Sequence, residues 1–241
     1  MPFESTYPDF AIIFLPFEAI YGEVVRKPKL LEELQKKVAI SENDNVRLFV
    51  HYENNSPDIP SLYCDFSDAQ NPTYQYSNEI QHGFIRTSSI SEAVDPVIDF
   101  VDWCVNKNGE KSETDNYAMI FSGHTMGFLS SGLLKDESKD ISMTLPTLQK
   151  GLEVITETIT HKKLALLGFD SCVMGMFEVG QQFKSVAETM VASEGSIPNA
   201  GWSYAEILGS LTEPQDDPRN IAGEFVRRYI EKQSQYSIGG V

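Results

Sequence analysis

Short apolar runs alternate along this chain with segments whose apolar residues recur at helical spacing. The runs occupy residues 10–15, 46–50, 117–121 and 164–169, and each is continuous and rich in β-branched or bulky side chains. Such runs predict strands that are buried on both faces of a sheet. The helical patterns cover residues 29–40, 89–108, 144–160 and 173–187, and a last one begins at residue 217. Strands that alternate with helices predict an α/β three-layer sandwich, with a mostly parallel central sheet flanked by helices.

Two local patterns refine this picture. Aromatic residues surround a polar turn in residues 62–76, which predicts a hairpin at an edge of the sheet. In the helix predicted at residues 89–108, Pro96 fits only if it lies in the first turn, next to Asp95. Without an internal repeat or a long linker, a single domain over residues 1–241 is the simplest organisation. The terminal Ile-Gly-Gly-Val resembles the start of another strand, so we expect the fold to be incomplete at its C-terminus.

Composition narrows the classes of partner. Of 241 residues, 41% are hydrophobic and 22% are charged, which is typical of a globular protein. The 19 basic and 35 acidic residues leave a formal net charge of −16, which argues against nucleic acid or an anionic membrane as partner. No leader-like segment or membrane-spanning apolar run is visible, and the three cysteines have neither disulfide nor zinc spacing. These features predict a cytoplasmic protein that requires no metal or other cofactor.

Two of the predicted strands end in reactive residues. The strand at residues 117–121 continues into Ser-Gly-His-Thr-Met-Gly, which contains His124, and the strand at 164–169 continues into Asp-Ser-Cys, which ends at Cys172. Ligands of parallel sheets bind beyond the C-terminal ends of the strands, so His124 and Cys172 would face one crevice if the strands are neighbours. A cysteine beside a histidine can act as a nucleophile. The alternative is a small buried hydrophobic residue, which is our interpretation of Cys64 and Cys104.

Four ordered motifs carry a resemblance to a known family. The motifs are Phe121-Ser122-Gly123-His124, the run from Gly168 to Val179 with Asp170-Ser171-Cys172, Val191-Ala192-Ser193-Glu194 and Gly201-Trp202-Ser203-Tyr204. His124 and Cys172 are 48 positions apart, which also agrees with the separation of about 50 in caspases. With these motifs the chain resembles the clostripain-like cysteine peptidases, which share the caspase–hemoglobinase fold with caspases, metacaspases, gingipains and legumain. The resemblance covers roughly residue 10 to the end of the chain and is most specific between residues 117 and 211.

The resemblance implies a cysteine endopeptidase that cleaves after Arg or Lys through a thioester acyl-enzyme. His124 matches the catalytic histidine and Cys172 the nucleophile. Asp170 matches the acid of the specificity pocket, where a buried carboxylate would pair with a guanidinium or ammonium group. From the residues alone, Asp170 could equally cap the N-terminus of the following helix.

Further positions follow from the same resemblance. The oxyanion hole would use the backbone N–H of Cys172 and N–H groups between Thr125 and Gly127. The family has glycine at the position of Thr125, so this hole could be misaligned or could rely on Gly127. Glu194 and Trp202 match positions near the substrate cleft, although Trp202 could also be a core residue.

The resemblance also has implications for partners and regulation. The expected partner is a peptide or protein substrate with Arg or Lys at the cleavage site, and a second polypeptide or C-terminal fragment could complete the sheet. The alternative function is a partner-activated or catalytically impaired caspase-like module in a signalling or defence assembly. Some relatives use calcium, so a calcium requirement is compatible with the family. The segment at residues 130–141, with Lys135 and Lys139, is either solvated surface or a self-cleavage site of a zymogen.

Overall fold

A seven-stranded sheet forms the centre of the molecule. In the computed structural model of the chain, the residues described are 10–16, 46–52, 62–66, 72–76, 94–107, 116–123, 125, 133–136, 141–198, 201–210 and 217–235. The strands of the sheet are β1 Phe10–Pro16, β2 Val46–Tyr52, β3 Leu62–Asp65, β4 Thr73–Tyr76, β5 Asn116–Ser122, β8 Leu164–Asp170 and β9 Ala187–Ala192, while β6 Leu133–Asp136 and β7 Ile141–Met143 form a separate pair. The strand order in the sheet is β4-β3-β2-β1-β5-β8-β9. The five strands from β2 to β9 in this order pair in parallel, whereas β3 and β4 are antiparallel additions.

Helices cover both faces of this sheet. Side chains of β5 alternate between the faces: Tyr117, Met119 and Phe121 pack with one set of helices, while Ala118 and Ile120 pack with the other. The first set consists of α1 Asp95–Lys107, α2 Leu145–Val154 with a π-helical turn at Ile155–Ile159, and α3 Phe177–Phe183, and the second of α4 Tyr204–Ser210 and α5 Pro218–Gln235. The result is the three-layer sandwich that the apolar pattern predicted.

The starts of two helices follow from local chemistry. Helix α1 begins at Asp95, so Pro96 lies in its first turn, where the missing N–H costs no helical hydrogen bond. At the start of α2, the Thr144 side chain accepts a hydrogen bond from the Thr147 N–H over 3.2 Å. The helix predicted at residues 29–40 and the first residues of the helix predicted at 89–108, up to residue 93, lie outside the described residues.

The predicted edge hairpin is confirmed, because β3 and β4 pair in antiparallel fashion and β4 ends the described sheet. A second antiparallel pair was not predicted: β6 Leu133–Asp136 pairs with β7 Ile141–Met143, and β6 lies within residues 130–141, for which the sequence predicted solvated surface or a self-cleavage site. Lys135 lies in β6, and Lys139 lies outside the described residues. Self-cleavage in this segment stays a prediction.

Candidate active site

The C-terminal ends of β5 and β8 lie side by side and bring the two reactive segments together. The strands are hydrogen-bonded neighbours, and their register places Ser122 opposite Asp170. All seven residues of β8 are buried, as expected for a central strand. The residues that follow each strand therefore leave the sheet at the same edge, which is where parallel sheets bind ligands.

Three hydrogen bonds join Gly123 and Thr125 to the end of β8 and the residues that follow it. The Gly123 N–H donates to the carbonyl oxygen of Asp170 over 3.3 Å, and the Ser171 hydroxyl donates to the carbonyl oxygen of Gly123 over 2.8 Å. The buried Thr125 hydroxyl donates to the carbonyl oxygen of Cys172 over 2.6 Å. His124 and Gly127 lie outside the described residues, so their roles as base and oxyanion-hole residue stay predictions.

Cys172 is the half-buried one of the three cysteines, whereas Cys64 and Cys104 are buried in the two cores. Its Sγ atom accepts a hydrogen bond from the Ile197 N–H over 3.2 Å and lies 3.7 Å from the Ile197 carbonyl oxygen. We call residues 193–198, which contain Ile197, the covering segment. The nucleophile predicted from the sequence is thus in contact with backbone that follows β9.

Two further hydrogen bonds hold the covering segment against the turn after Cys172. The Val173 N–H donates to the Gly195 carbonyl oxygen over 3.0 Å, and the Gly175 N–H donates to the Ser193 carbonyl oxygen over 2.8 Å. This pairing places residues 173–175 and 193–195 antiparallel to each other. Val173 has a φ of 57°, a left-handed conformation that is strained for a β-branched residue.

The helix predicted at residues 173–187 is wrong at both ends. Helix α3 spans Phe177–Phe183, and the chain then enters β9 at Ala187. Positive φ at Val173 and the hydrogen bond of its N–H to the covering segment prevent a helix from starting directly after Cys172. Cys172 therefore lies in a turn and not at a helix N-terminus.

The Asp170 carboxylate is buried and surrounded by donors. Its Oδ2 atom accepts hydrogen bonds from the Trp202 N–H over 3.0 Å, the Tyr204 hydroxyl over 2.6 Å and the Ser122 hydroxyl over 3.3 Å. Burial raises the pKa of Asp170 above its ordinary value, and the three hydrogen bonds oppose that rise. Asp170 does not cap α3, which begins seven positions later, at Phe177. The alternative of a helix cap is therefore wrong.

Glu194 and Trp202 occupy different environments. Glu194 is exposed within the covering segment. The Trp202 ring is buried and packs edge-to-face on Phe225 with ring centroids 5.4 Å apart, so this side chain belongs to the core under α5. The backbone N–H of Trp202 is the group that reaches Asp170. A direct substrate contact by either side chain stays a prediction.

Tyr204 and Ser122 are contacts of Asp170 that sequence reasoning missed. Both residues lie within motifs that the chain shares with the family, but they are 34 and 48 positions away from Asp170. Burial, followed by the nearby carboxylate, raises the pKa of Tyr204 well above its ordinary value. The phenol therefore keeps its proton and donates to Asp170.

The described ranges contain neither a cluster of metal ligands nor a helix that could cross a membrane. Within the described ranges, no three His, Cys, Asp or Glu side chains come together in a way that could hold a metal ion. This finding does not test the prediction that no cofactor is required, with calcium possible by analogy to the family. None of the described helices combines the length and the apolar character needed to cross a membrane.

Comparison with solved structures confirms the predicted fold. The chain is similar to a secreted C11 cysteine protease from Bacteroides thetaiotaomicron in complex with an irreversible peptide inhibitor, with a TM-score of 0.67 at 18% identity over 98% of this chain and 62% of that one. An inactive zymogen C11 protease from Parabacteroides distasonis superposes with a TM-score of 0.66 at 17% identity, over 95% of this chain and 60% of that one.

The cytoplasmic location predicted from the sequence is contradicted by these similarities. Two of the matching structures are of a secreted C11 protease from Bacteroides thetaiotaomicron, the second with a TM-score of 0.64 at 16% identity over 95% of this chain and 63% of that one. The cytoplasmic prediction rested on the absence of a visible leader-like segment, and such an absence does not establish where a protein is located.

Sequence comparison points to the same family. Clostripain from Hathewaya histolytica is 27% identical over 221 residues, which cover 78% of this chain and 41% of clostripain. The chain thus spans about two fifths of that curated relative and about three fifths of the solved ones. The sequence model of the clostripain family, Peptidase_C11, matches residues 31–241, which is well over half of the chain. The chain therefore belongs to the clostripain family.

Proposed function

We propose that this chain carries the catalytic residues of a cysteine endopeptidase that cleaves after Arg or Lys. The observation that carries the proposal is the link between the two strand ends. Gly123 and Thr125, the neighbours of His124 in sequence, are both hydrogen-bonded to the Ser171–Cys172 segment. His124, which lies between them in sequence, would then be close enough to the Cys172 thiol to take its proton.

In the proposed reaction, His124 takes the proton of the Cys172 thiol, and Sγ attacks the carbonyl carbon of the scissile bond. The negative charge on the tetrahedral oxygen is stabilised by the Cys172 N–H and by N–H groups at Thr125 to Gly127. His124 then gives its proton to the departing amine as the C–N bond breaks and a thioester forms. Water, deprotonated by His124, hydrolyses the thioester, and the released thiolate recovers the proton.

The buried carboxylate of Asp170 supports the preference for a basic side chain before the scissile bond. Asp170 is the last residue of β8, two residues before Cys172. A buried carboxylate without a counter-ion is costly, and an arginine or lysine side chain of the substrate would supply that counter-ion. Clostripain and the solved C11 proteases belong to the same family, which supports peptides and proteins as the substrate class.

The experiment is covalent labelling of the full chain with peptide electrophiles that end in Arg, Lys or Asp, followed by mapping of the adduct by mass spectrometry. We expect Arg- and Lys-directed labelling of Cys172 that is lost in His124→Ala and kept in the control His161→Ala, because His161 is exposed at the bend before β8, at the opposite end of that strand from Asp170. Equal labelling of Cys172 by all three electrophiles would contradict the basic preference. Adducts on Cys64 or Cys104 alone would contradict the assignment of the nucleophile.

The second candidate function is a peptidase-like domain that acts only after activation. It is favoured by the contact between Ile197 and the Sγ atom of Cys172, because the covering segment occupies one side of the thiol.

We further propose that a second polypeptide or C-terminal segment adds a strand next to β9, whose one neighbour in the described sheet is β8. Labelling of Cys172 that requires an added C-terminal fragment would support activation, and full labelling of the chain by itself would exclude it.

The secreted relatives also suggest where the protein works. We propose an extracytoplasmic location, as reported for the similar protease of Bacteroides thetaiotaomicron. Detection of the native protein in culture medium or in the cell envelope tests this proposal, and recovery from the cytosol alone would contradict it.

A further inference from the structure

The two carboxylate oxygens of Asp170 have unequal surroundings. Oδ2 accepts three hydrogen bonds, from Ser122, Trp202 and Tyr204. Oδ1 is closed to solvent and has no hydrogen-bond partner among the residues that the structure describes. A carboxylate oxygen has about two lone pairs, so three donors leave Oδ2 with no capacity for a further strong bond. Oδ1 is the acceptor that remains.

Tyr204 makes the strongest of the three contacts. Its O–H···O distance of 2.6 Å lies in the range of charge-assisted hydrogen bonds, whereas the Ser122 hydroxyl is 3.3 Å away, which is long for an O–H donor. The phenol ring is itself buried, and burial keeps its proton in place. Tyr204 therefore donates at every pH at which the carboxylate is charged.

We propose that Tyr204 is a positioning residue for substrate specificity: it fixes the Asp170 carboxylate through Oδ2 and leaves Oδ1 as the one acceptor for the cationic side chain of the substrate. The inference rests on the proposed preference for Arg or Lys. A buried oxygen without a partner costs free energy, and that cost is recovered when a cation binds to it. The donors at Oδ2 favour the charged form of Asp170, which is the form that can pair with a cation.

Access to Oδ1 requires a local movement. A methyl group built on Gly201 would lie 2.6 Å from Oδ2 and 3.4 Å from Oδ1, so the backbone at Gly201 rests against the carboxylate. Because Oδ1 is closed to solvent, a substrate cation can reach it only when neighbouring atoms such as this backbone shift. Tyr204 lies on α4, which packs in the core, and would hold Oδ2 in place during such a shift.

The test compares Tyr204→Phe with Tyr117→Phe in the full chain. Tyr117 is a second buried tyrosine, near the opposite end of β5, so its variant controls for loss of a buried hydroxyl. The readouts are kcat and KM for peptides with Arg, Lys or norleucine before the scissile bond, and the rate at which matched electrophiles label Cys172, each across pH.

For Tyr204→Phe we expect about a tenfold loss of kcat/KM on the Arg and Lys peptides, mainly through KM, and little change with norleucine. Loss of the donor raises the pKa of Asp170 further, so the acid limb of kcat/KM for the basic peptides moves to higher pH. We expect Tyr117→Phe to match the wild type. Ser122→Ala removes the longer contact and should produce a smaller change in the same direction, which keeps the test decisive if Tyr204→Phe fails to fold.

Two outcomes separate the inference from the proposed function. If the wild type labels Cys172 with a basic preference but Tyr204→Phe lowers the basic and norleucine reactions equally and leaves the acid limb in place, Tyr204 is merely structural and the inference is wrong. If the wild type shows no basic preference in turnover or in labelling, the proposed specificity and the inference are both overturned.

Discussion

The backbone N–H of Ile197 donates a hydrogen bond to the Sγ atom of Cys172 over 3.2 Å. Ile197 belongs to the covering segment, which two further hydrogen bonds hold against residues 173–175. Nucleophilic attack on a substrate requires space beside Sγ, so the position of this segment bears directly on reactivity. Glycines in the two paired segments, residues 173–175 and 193–195, offer a way to move the covering segment without changing Cys172.

Gly175→Ala should displace the covering segment. Its new methyl group would lie 2.8 Å from the backbone nitrogen of Glu194 and 2.9 Å from the carbonyl carbon of Ser193, and backbone atoms cannot turn aside as a flexible side chain can. We expect the free energy of unfolding to fall by about 1–3 kcal/mol and alkylation of Cys172 by iodoacetamide to become faster. Denaturant melts and timed mass spectrometry measure the two effects.

Gly195→Ala is the matched control for that variant. It lies in the same pairing, but its methyl group meets nothing within 4 Å. We expect a change in unfolding free energy within about 0.5 kcal/mol and an unchanged alkylation rate. If Gly175→Ala lowers stability while Cys172 keeps its wild-type alkylation rate, the covering segment does not control access to the thiol.

The main architecture could be predicted because buried central strands have a distinctive sequence. Each of the four predicted strand runs forms a strand of the central sheet, and β8 is buried along its whole length. The edge hairpin was also predictable, from aromatic residues on both sides of a polar turn. Strand β9 was missed because Ala187–Ala192 contains Glu and Thr and buries only Val191 fully, so it lacks a continuous apolar run.

The helix after Cys172 shows where periodicity misleads. Apolar side chains at Val173, Met176, Val179 and Phe183 have helical spacing, but Val173 takes a left-handed conformation and binds the covering segment. That conformation depends on residues about 20 positions away, and no local pattern reports it. The donors around Asp170 were missed for the same reason, since Tyr204 and Ser122 reach it only through the folded sheet.

Gly201→Ala should disturb the proposed specificity pocket at Asp170 directly. Gly201 has a φ of 61°, and a methyl group there would lie 2.6 Å from Oδ2 of Asp170. The left-handed conformation alone costs an alanine about 1–2 kcal/mol, and the contact adds to that loss. We expect lower stability in denaturant melts and a loss of at least about tenfold in kcat/KM for basic peptides, since the carboxylate must move.

Gly223→Ala provides the contrasting glycine. Gly223 is an exposed position within α5 and has open space around its Cα atom. Alanine is favoured over glycine inside a helix, so we expect stability to rise by about 0.5–1 kcal/mol with unchanged kcat/KM. Equal effects of the two variants on activity would show that Gly201 has no special relation to Asp170.

Val173 and His161 are strained in the same way but differ in their relation to the site. Both have a φ of 57°. Replacement of either by glycine relieves the left-handed strain, and we expect the free energy of unfolding to rise by up to about 1 kcal/mol in denaturant melts. Only Val173→Gly should lower kcat, because glycine loosens the backbone directly after Cys172, the proposed nucleophile, where it pairs with the covering segment. A loss of activity in His161→Gly would contradict this distinction.

Asp170→Asn should change stability in a pH-dependent way. Burial raises the folded-state pKa of Asp170 above its unfolded value, so its contribution to stability is full below the unfolded pKa and is lost as pH rises through the folded pKa. Asparagine does not titrate and keeps an oxygen acceptor for Tyr204 and Trp202. The stability of the Asp170→Asn variant relative to wild type should therefore increase from acid to neutral pH, while activity on basic peptides is lost.

Asp217→Asn should show the opposite pH dependence of stability. Because Arg219 lowers the pKa of Asp217, this variant should lose stability relative to wild type towards neutral pH. Urea melts of both variants at acid and neutral pH measure these differences, and a pH-independent difference for Asp170→Asn would mean that ionisation of Asp170 does not oppose folding.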